Sequence, residues 1–175
     1  MLIILEGVEG AGKTSIANCL KNDFGYHIYT TERPRNTSNK FDFSSLWRGE
    51  IKSIIKLLHI ISKEKIVFDR LHLSEFVYSC LYSHYAKNFD IIKEVDKELL
   101  NYGARIVYCY AKPQTLLTRV KNKLIDEFDK DFMVNYTKHL SLFQEALMLT
   151  SIKMYYLNTG EVSVKEGVND ILNVR

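Results

Sequence analysis

Short apolar runs alternate along the chain with stretches whose apolar residues recur at helical spacing. Leu2 to Glu6 is an apolar run that ends in glycines, the pattern of a strand buried on both faces. From Lys13 to Phe24 the residues Ile16, Ala17, Cys19, Leu20 and Phe24 share a helical face, and Gly25 supplies the stop. Tyr26 to Thr30 reads as a second strand. Thr31 to Ser45 is polar, contains Pro34 and has no period, so it is predicted as a loop. Trp47 to Ser62 is predicted helical, with Ile51, Ile54, Ile55, Leu58 and Ile61 inward. Lys65 to Asp69 reads as a strand, and Ser74 to Tyr85 and Asp90 to Leu100 as helices. Gly103 precedes a strand from Ala104 to Tyr110. Pro113 suits the first turn of a helix running to about Lys123. The charged stretch Asp126 to Asp131 is expected to precede a long helix through about Thr150. Lys153 to Leu157 and Val164 to Val174 give a last strand and a last helix.

Five strands separated by helices imply an α/β fold with a parallel sheet and helices on both faces. Ligands in such sheets sit at the carboxyl ends of the strands. The segments of interest are therefore Glu6 to Thr14, Thr31 to Arg35, Asp69 to Ser74, and the chain after Tyr110.

With 175 residues, 46% hydrophobic and 26% charged, the chain fits one domain over residues 1–175 and is not compositionally disordered. No apolar run approaches the roughly 18 residues of a membrane span. The N-terminus lacks a basic region and a small-residue cleavage site, so no signal peptide is expected. The three cysteines, Cys19, Cys80 and Cys109, are widely spaced without a CxxC. They read as reduced core thiols of a cytoplasmic protein, not as zinc ligands. A net charge of +3 is too mild to imply nucleic acid, and neither nucleic acid nor membrane is an expected partner.

Chemistry enters directly after the first strand. Gly7-Val8-Glu9-Gly10-Ala11-Gly12-Lys13-Thr14 matches G-x-x-x-x-G-K-[ST] without a mismatch. Such a loop turns backbone N–H groups toward an anion, and the following helix adds its partial positive charge. Lys13 can reach the outer phosphates of a nucleoside triphosphate, and Thr14 can ligate Mg²⁺. The expected fold is thus a P-loop NTPase three-layer α/β/α sandwich with a five-stranded parallel sheet. ATP and Mg²⁺ are the expected cofactors, with Gly7, Glu9, Gly10, Ala11, Gly12, Lys13, Thr14 and Ser15 around the donor. The spacing does not fit a dinucleotide loop, and Asn158-Thr159-Gly160-Glu161 does not match the base-reading N-K-x-D of a GTPase switch.

Three stretches resemble thymidylate kinases. The first is Ile3 to Thr14, with a loop carboxylate at Glu9. The second, Asp69 to Tyr78, is similar to the family's D-R-x-x-x-S-x-x-x-Y segment. The third is Pro113, Leu116, Leu117, Arg119, Lys121 and Lys123, like the stretch that leads into the family's basic lid. The resemblance spans nearly the whole chain and implies transfer of the ATP γ-phosphate to a deoxynucleoside monophosphate, most directly dTMP. It implies Mg²⁺ held by Thr14 and Asp69, and catalysis by Lys13, Asp69, Arg70 and Arg119. Glu9, Arg70, Ser74 and Tyr78 would line the acceptor, Glu9 facing its 3′-hydroxyl and Tyr78 disfavouring a 2′-hydroxyl. Lys121 and Lys123 would add charge at the donor phosphates from a lid at about residues 119–131.

The acceptor region, about residues 31–62, departs from the family order. Thr31-Glu32-Arg33-Pro34-Arg35 leaves either Arg33 or Arg35 to hold the monophosphate, and Phe41, Phe43 and Trp47 are candidates to stack on a base. In the lid, lysines stand where arginines would give bidentate contacts. Two alternatives remain. A deoxynucleoside kinase would need a general base, for which Glu6 or Glu32 is available. A nucleotide-binding protein without efficient turnover would suit the weakened lid. A homodimer through the helix around Ile51 to Ile61 is an expectation that an inward-facing core helix would explain equally well.

Overall fold

The structure, a computed structural model, describes residues 1–31, 53–58, 60, 64–82, 89–123 and 127–173. Its strands are β1 (Leu2–Glu6), β2 (His27–Thr30), β3 (Ile66–Asp69), β4 (Arg105–Tyr110) and β5 (Met154–Asn158). The helices are α1 (Lys13–Phe24), α2 (His72–Tyr82), α3 (Asp90–Leu100), α4 (Pro113–Lys121), α5 (Glu127–Leu149) and α6 (Val164–Asn173).

Apolar content decides where each strand lies. β1 and β3 are buried along their whole lengths and are interior, whereas β2 has exposed ends and forms one edge. The order is β2-β3-β1-β4-β5, with every pairing parallel. α1 packs with α6, while α2 packs against α3 and α5, so helices cover both faces of a three-layer α/β/α sandwich. β1 is central, which sets the loop after it over the middle of the sheet. Its register with β3 places Leu5 beside Asp69, so the segment that begins at Asp69 emerges next to the loop after β1.

Local signals end the helices where the sequence places them, with instructive exceptions. Gly25 closes α1 in the left-handed region (φ 71°), donating its N–H to the Lys21 carbonyl, while the Tyr26 N–H donates to that of Leu20. Ser163 and Glu166 form a reciprocal capping box at the start of α6. α2 begins at His72, two residues before the expected Ser74, because the Glu6 carboxylate accepts the N–H groups of Leu71 and Leu73. The charged stretch expected to precede α5 instead forms its first turns from Glu127 onward. Acidic groups suit a helix N-terminus, so charge there does not mark a loop. α4 ends at Lys121 and leaves Lys123 beyond the helix. Of the helix predicted over Trp47 to Ser62, residues 53–58 are helical, and Ile54, Ile55 and Leu58 pack on the core; Ile51 and Ile61 lie outside the described residues. All three cysteines are free thiols: Cys109 is fully buried, and Cys19 and Cys80 are half-buried against the core. Among the described residues no helix is long and apolar enough to cross a membrane, and no cluster of His, Cys, Asp or Glu could hold a metal as a group of three.

One buried polar network ties the layers together. Asp96 of α3 is fully buried and accepts from His72 Nε2 (2.8 Å), Thr150 Oγ1 (2.8 Å) and the N–H and hydroxyl of Ser151 (2.6 and 3.1 Å). Burial alone would raise its pKa, but these donors, His72 first, hold it below the ordinary carboxylate value. Asp96→Asn is expected to cost about 3 kcal/mol in urea unfolding at pH 7, because it removes a charge on which four donors converge. Since the folded pKa lies below the unfolded one, the contribution is complete above about pH 4 and is lost as pH falls through the lower folded value. A cost under about 1 kcal/mol would show that the network does not hold these layers.

Candidate active site

The loop from Gly7 to Gly12 is shaped by close approach. At Gly7 (φ 141°) an added Cβ would lie 2.3 Å from the Cys109 carbonyl oxygen of β4, so a side chain there would push the loop off the sheet. Gly10 (φ 72°) likewise turns against the Leu116 carbonyl of α4. Lys13 is 4% exposed and its Nζ donates to the carbonyls of Gly7 and Val8, both at 2.7 Å. The ammonium is thus held inside the curl of the loop. Burial, and then the charge of Arg70, push its pKa down to about 7, against the opposing pull of Glu9 and Asp69. Thr14 and Ser15 are exposed at the start of α1.

β3 delivers the next two groups. Asp69 Oδ2 accepts from Thr14 Oγ1 at 2.6 Å, while Asp69 Oδ1 is buried without a hydrogen-bond partner among the described residues. A hydroxyl beside a carboxylate with an unspent oxygen, at the rim of an anion cradle, is a donor set that fits Mg²⁺. Arg70 sits in the left-handed region (φ 76°), the one residue other than glycine recorded there among those described. Such a conformation costs about 1–2 kcal/mol for a residue with a Cβ. Arg70 Nη1 donates to the Gly7 carbonyl (3.1 Å) and Nη2 to Glu9 Oε1 (2.7 Å), and the guanidinium lies over the Tyr78 ring. Burial opposes its charge, but Glu9 first, then Tyr78, Asp69 and Glu6, outweigh burial and raise its pKa. The Tyr78 hydroxyl donates to the same Glu9 oxygen at 2.6 Å. Glu9, Arg70 and Tyr78 therefore form one buried constellation beside Lys13.

Ser74 is not part of it. Expected at the acceptor, its hydroxyl is fully buried and donates to Glu6, whose carboxylate also binds the N-terminus of α2. Glu6 and Ser74 together fix where α2 starts, and thereby aim Arg70 and Tyr78. The same bonds occupy Glu6, the residue that a nucleoside kinase could have used as its base.

The basic residues of α4 diverge. Arg119 Nη1 donates to the Gly10 carbonyl (3.2 Å) and to Thr159 Oγ1 (2.9 Å), and Nη2 to the Thr159 carbonyl (2.7 Å). The guanidinium expected at the reacting phosphates is thus tied to the outer side of the P-loop and to the loop after β5. Lys121 is exposed at the helix end. Lys123, past the helix, turns toward the other side, with Nζ 2.7 Å from Asp129 Oδ1 and 3.7 Å from Glu9 Oε2. Residues at i, i+2 and i+4 do not share a helix face, and the end of α4 resolves the conflict.

A second cluster adjoins the first on α5. Asp131 accepts from Tyr82 (2.8 Å), His139 Nε2 (2.9 Å) and Asn135 (2.7 Å), and Asn135 itself leaves helical geometry (φ −115°, ψ 23°). The His139 ring meets those of Tyr78, Tyr82 and Phe132 edge-on. Burial lowers the His139 pKa despite Asp131, and its neutral ring suits this aromatic setting. Sequence reasoning missed Thr159, Asp129, Asp131 and His139. Thr159 could have been found, since it follows a strand end like the other segments singled out. Arg33, Arg35, Glu32, Phe41, Phe43 and Trp47 lie outside the described residues.

No protein-family model and no curated protein matches the sequence. Solved structures do. The chain is similar to the YorR protein of Bacillus subtilis, solved with phosphorylated GDP, at 22% identity and TM-score 0.69, covering 98% of this chain and 94% of that one. It is similar to the deoxyadenosine kinase of M. mycoides with bound dATP at 20% identity and TM-score 0.56, covering 99% and 98%. It is also similar to the thymidylate kinase of Candida albicans at 12% identity and TM-score 0.56, covering 98% and 88%. At these identities the likeness establishes the fold alone, a three-layer α/β/α sandwich shared end to end.

Proposed function

We propose that this protein is a P-loop phosphotransferase that moves the γ-phosphate of ATP to a deoxynucleoside monophosphate, with dTMP as the first acceptor to test. The observation that carries this reading is Arg70: buried, held in a strained backbone conformation, and bonded at once to the P-loop backbone and to Glu9. A planar guanidinium beside an anion cradle suits an acceptor phosphate and the migrating phosphoryl group. Strain of this kind is kept where a site needs the side chain in one place.

Each group has a role in that chemistry. Lys13 draws the outer phosphate oxygens into the loop, and Arg70 neutralises charge on the acceptor side. Thr14 and Asp69 would hold Mg²⁺, which supplies charge neutralisation at the donor phosphates when bound. Glu9 accepts from a sugar hydroxyl, and Tyr78, bonded to Glu9, packs against the sugar. Arg119, joined to Thr159, shapes the donor end of the cleft.

The similarity to a deoxyadenosine kinase favours a second reading, transfer to a nucleoside 5′-hydroxyl. That reaction needs a general base; of the two candidates, Glu6 is committed to capping α2, and Glu32 lies outside the described residues. ADP release, measured with ATP·Mg²⁺ against dTMP, the other deoxynucleoside monophosphates, UMP, thymidine and deoxyadenosine, separates the two. Turnover with monophosphates supports the first reading. Turnover with nucleosides alone transfers the case to the second. ATP binding without turnover of any acceptor would overturn both.

A further inference from the structure

The turn after β5 is built to hold one side chain still against the P-loop. Asn158 shapes that turn, its side-chain oxygen accepting the Gly160 N–H (3.1 Å) and its carbonyl those of Glu161 and Val162. Thr159 is fixed within it, because its N–H donates to the Tyr110 carbonyl at the end of β4 (2.9 Å). From there its side chain packs on Gly12, where an added Cβ would stand 3.4 Å from the Thr159 Cβ and Oγ1. The single hydroxyl proton is shared between the carbonyls of Ala11 (3.1 Å) and Tyr110 (3.2 Å). The same oxygen accepts from Arg119 Nη1, which also donates to the Gly10 carbonyl. Two successive P-loop carbonyls are thus held by one joined pair of side chains.

These ties matter because glycine does not hold its own peptide plane. Gly10 (φ 72°) and Gly12 (φ 81°) flank Ala11, and both can turn at little steric cost. A trans peptide is planar, so its carbonyl and the following N–H point in opposite directions. Holding the Ala11 carbonyl at Thr159 therefore turns the Gly12 N–H away from Thr159. The Gly7 and Val8 carbonyls are held otherwise, by the Lys13 ammonium, the group that a triphosphate draws to itself.

We infer that Thr159 is a positioning residue for the donor phosphates: its hydroxyl fixes the Ala11–Gly12 peptide so that the Gly12 N–H faces the anion before ATP arrives. It acts through the loop and not by contact with the nucleoside. A donor aimed in advance needs no reorganisation when the charge enters. The inference rests on the proposed reading of Gly7 to Thr14 as the cradle of a triphosphate.

The test compares Thr159→Val, which keeps the branched shape without the hydroxyl, with Thr159→Ala and Thr159→Ser, each checked for folding by thermal unfolding. The readouts are calorimetric binding of ATP·Mg²⁺, of magnesium tripolyphosphate and of dTMP. Thr159→Val and Thr159→Ala are expected to weaken ATP and tripolyphosphate alike, by about tenfold, the scale of one hydrogen bond. Binding of dTMP should stay within about threefold, and Thr159→Ser should recover most of the loss. Either hydroxyl-free variant carries the comparison; failure of both to fold would assign the hydroxyl to stability and overturn the inference. Unchanged ATP affinity without the hydroxyl, equal losses for ATP and dTMP, or no recovery in Thr159→Ser would overturn it too. So would a loss for ATP that spares tripolyphosphate, or a wild type that binds ATP alone, since either puts the grip on the nucleoside. All these results leave the kinase reading standing. Absence of turnover with every acceptor would overturn that reading alone, because the binding comparison needs no acceptor. A wild type that binds neither ATP nor tripolyphosphate would overturn the two together.

Discussion

Arg70→Ala is expected to lower kcat with dTMP and ATP·Mg²⁺ by about a thousandfold or more, the scale at which an arginine stabilises a phosphoryl-transfer transition state. ATP·Mg²⁺ affinity should change little, because the donor cradle is made by Lys13 and the loop backbone. Arg70→Lys keeps a charge but loses the fork that spans the Gly7 carbonyl and Glu9, so its kcat should fall between the two. The backbone supplies an internal control. At φ 76° alanine carries the same strain as arginine, whereas glycine does not. Arg70→Gly should therefore be as inactive as Arg70→Ala yet more stable by about 1 kcal/mol in denaturant unfolding. Retention of more than a tenth of wild-type turnover in Arg70→Ala would remove Arg70 from the reaction.

That prediction depends on contacts between distant parts of the chain, and this is where the sequence stops being legible. The P-loop could be read because its requirements are local: glycines at fixed offsets after an apolar run, then a helix with Gly25 as its stop. The layered α/β architecture followed from the order of apolar runs, and β1, buried along its whole length, lies at the centre of the sheet. The union of Glu9 with Arg70, 61 residues apart, was accessible through resemblance and through the rule that ligands gather at strand ends. Ser74 shows the limit of carrying a motif letter by letter. Its position matches, but Glu6, at the end of another strand, takes its hydroxyl. Arg119 and Lys123 show another. Four residues apart, they would share a face on a continuous helix, but α4 ends between them, with one at Thr159 and the other at Asp129, near Glu9. Asp129 stands in a run of charges expected only to precede a helix, and nothing local to it announces its burial. The aromatic and basic candidates between Glu32 and Trp47 remain expectations, and with them the identity of the base.

Lys13→Met should abolish transfer, by about a thousandfold or more, and should also remove a proton that the wild type takes up on binding ATP·Mg²⁺. Inside the loop, burial and the neighbouring Arg70 bring the Lys13 pKa to about 7, far below its ordinary 10.5. A triphosphate in the cradle adds negative charge beside the ammonium and raises that pKa again. Above pH 7 the empty site therefore holds fewer protons than the occupied one, and binding draws up to one from solution. Affinity for ATP·Mg²⁺ should accordingly fall as pH rises above 7, by up to about tenfold for each pH unit. Stability of the ligand-free protein should move the other way. The unfolded lysine, at its ordinary pKa, binds more protons than the folded one between about pH 7 and 10.5, so this group makes the fold more stable as pH rises through that window. Calorimetry at pH 8 in two buffers of different ionisation enthalpy gives the proton count directly. Urea unfolding of wild type and Lys13→Met across the same range gives the second slope. Zero uptake by the wild type, or an equal uptake by Lys13→Met, would show that the ammonium in the loop is not the group that titrates. Uptake confined to the wild type, together with loss of transfer in the variant, would identify Lys13 both as the proton acceptor on binding and as the charge that transfer requires.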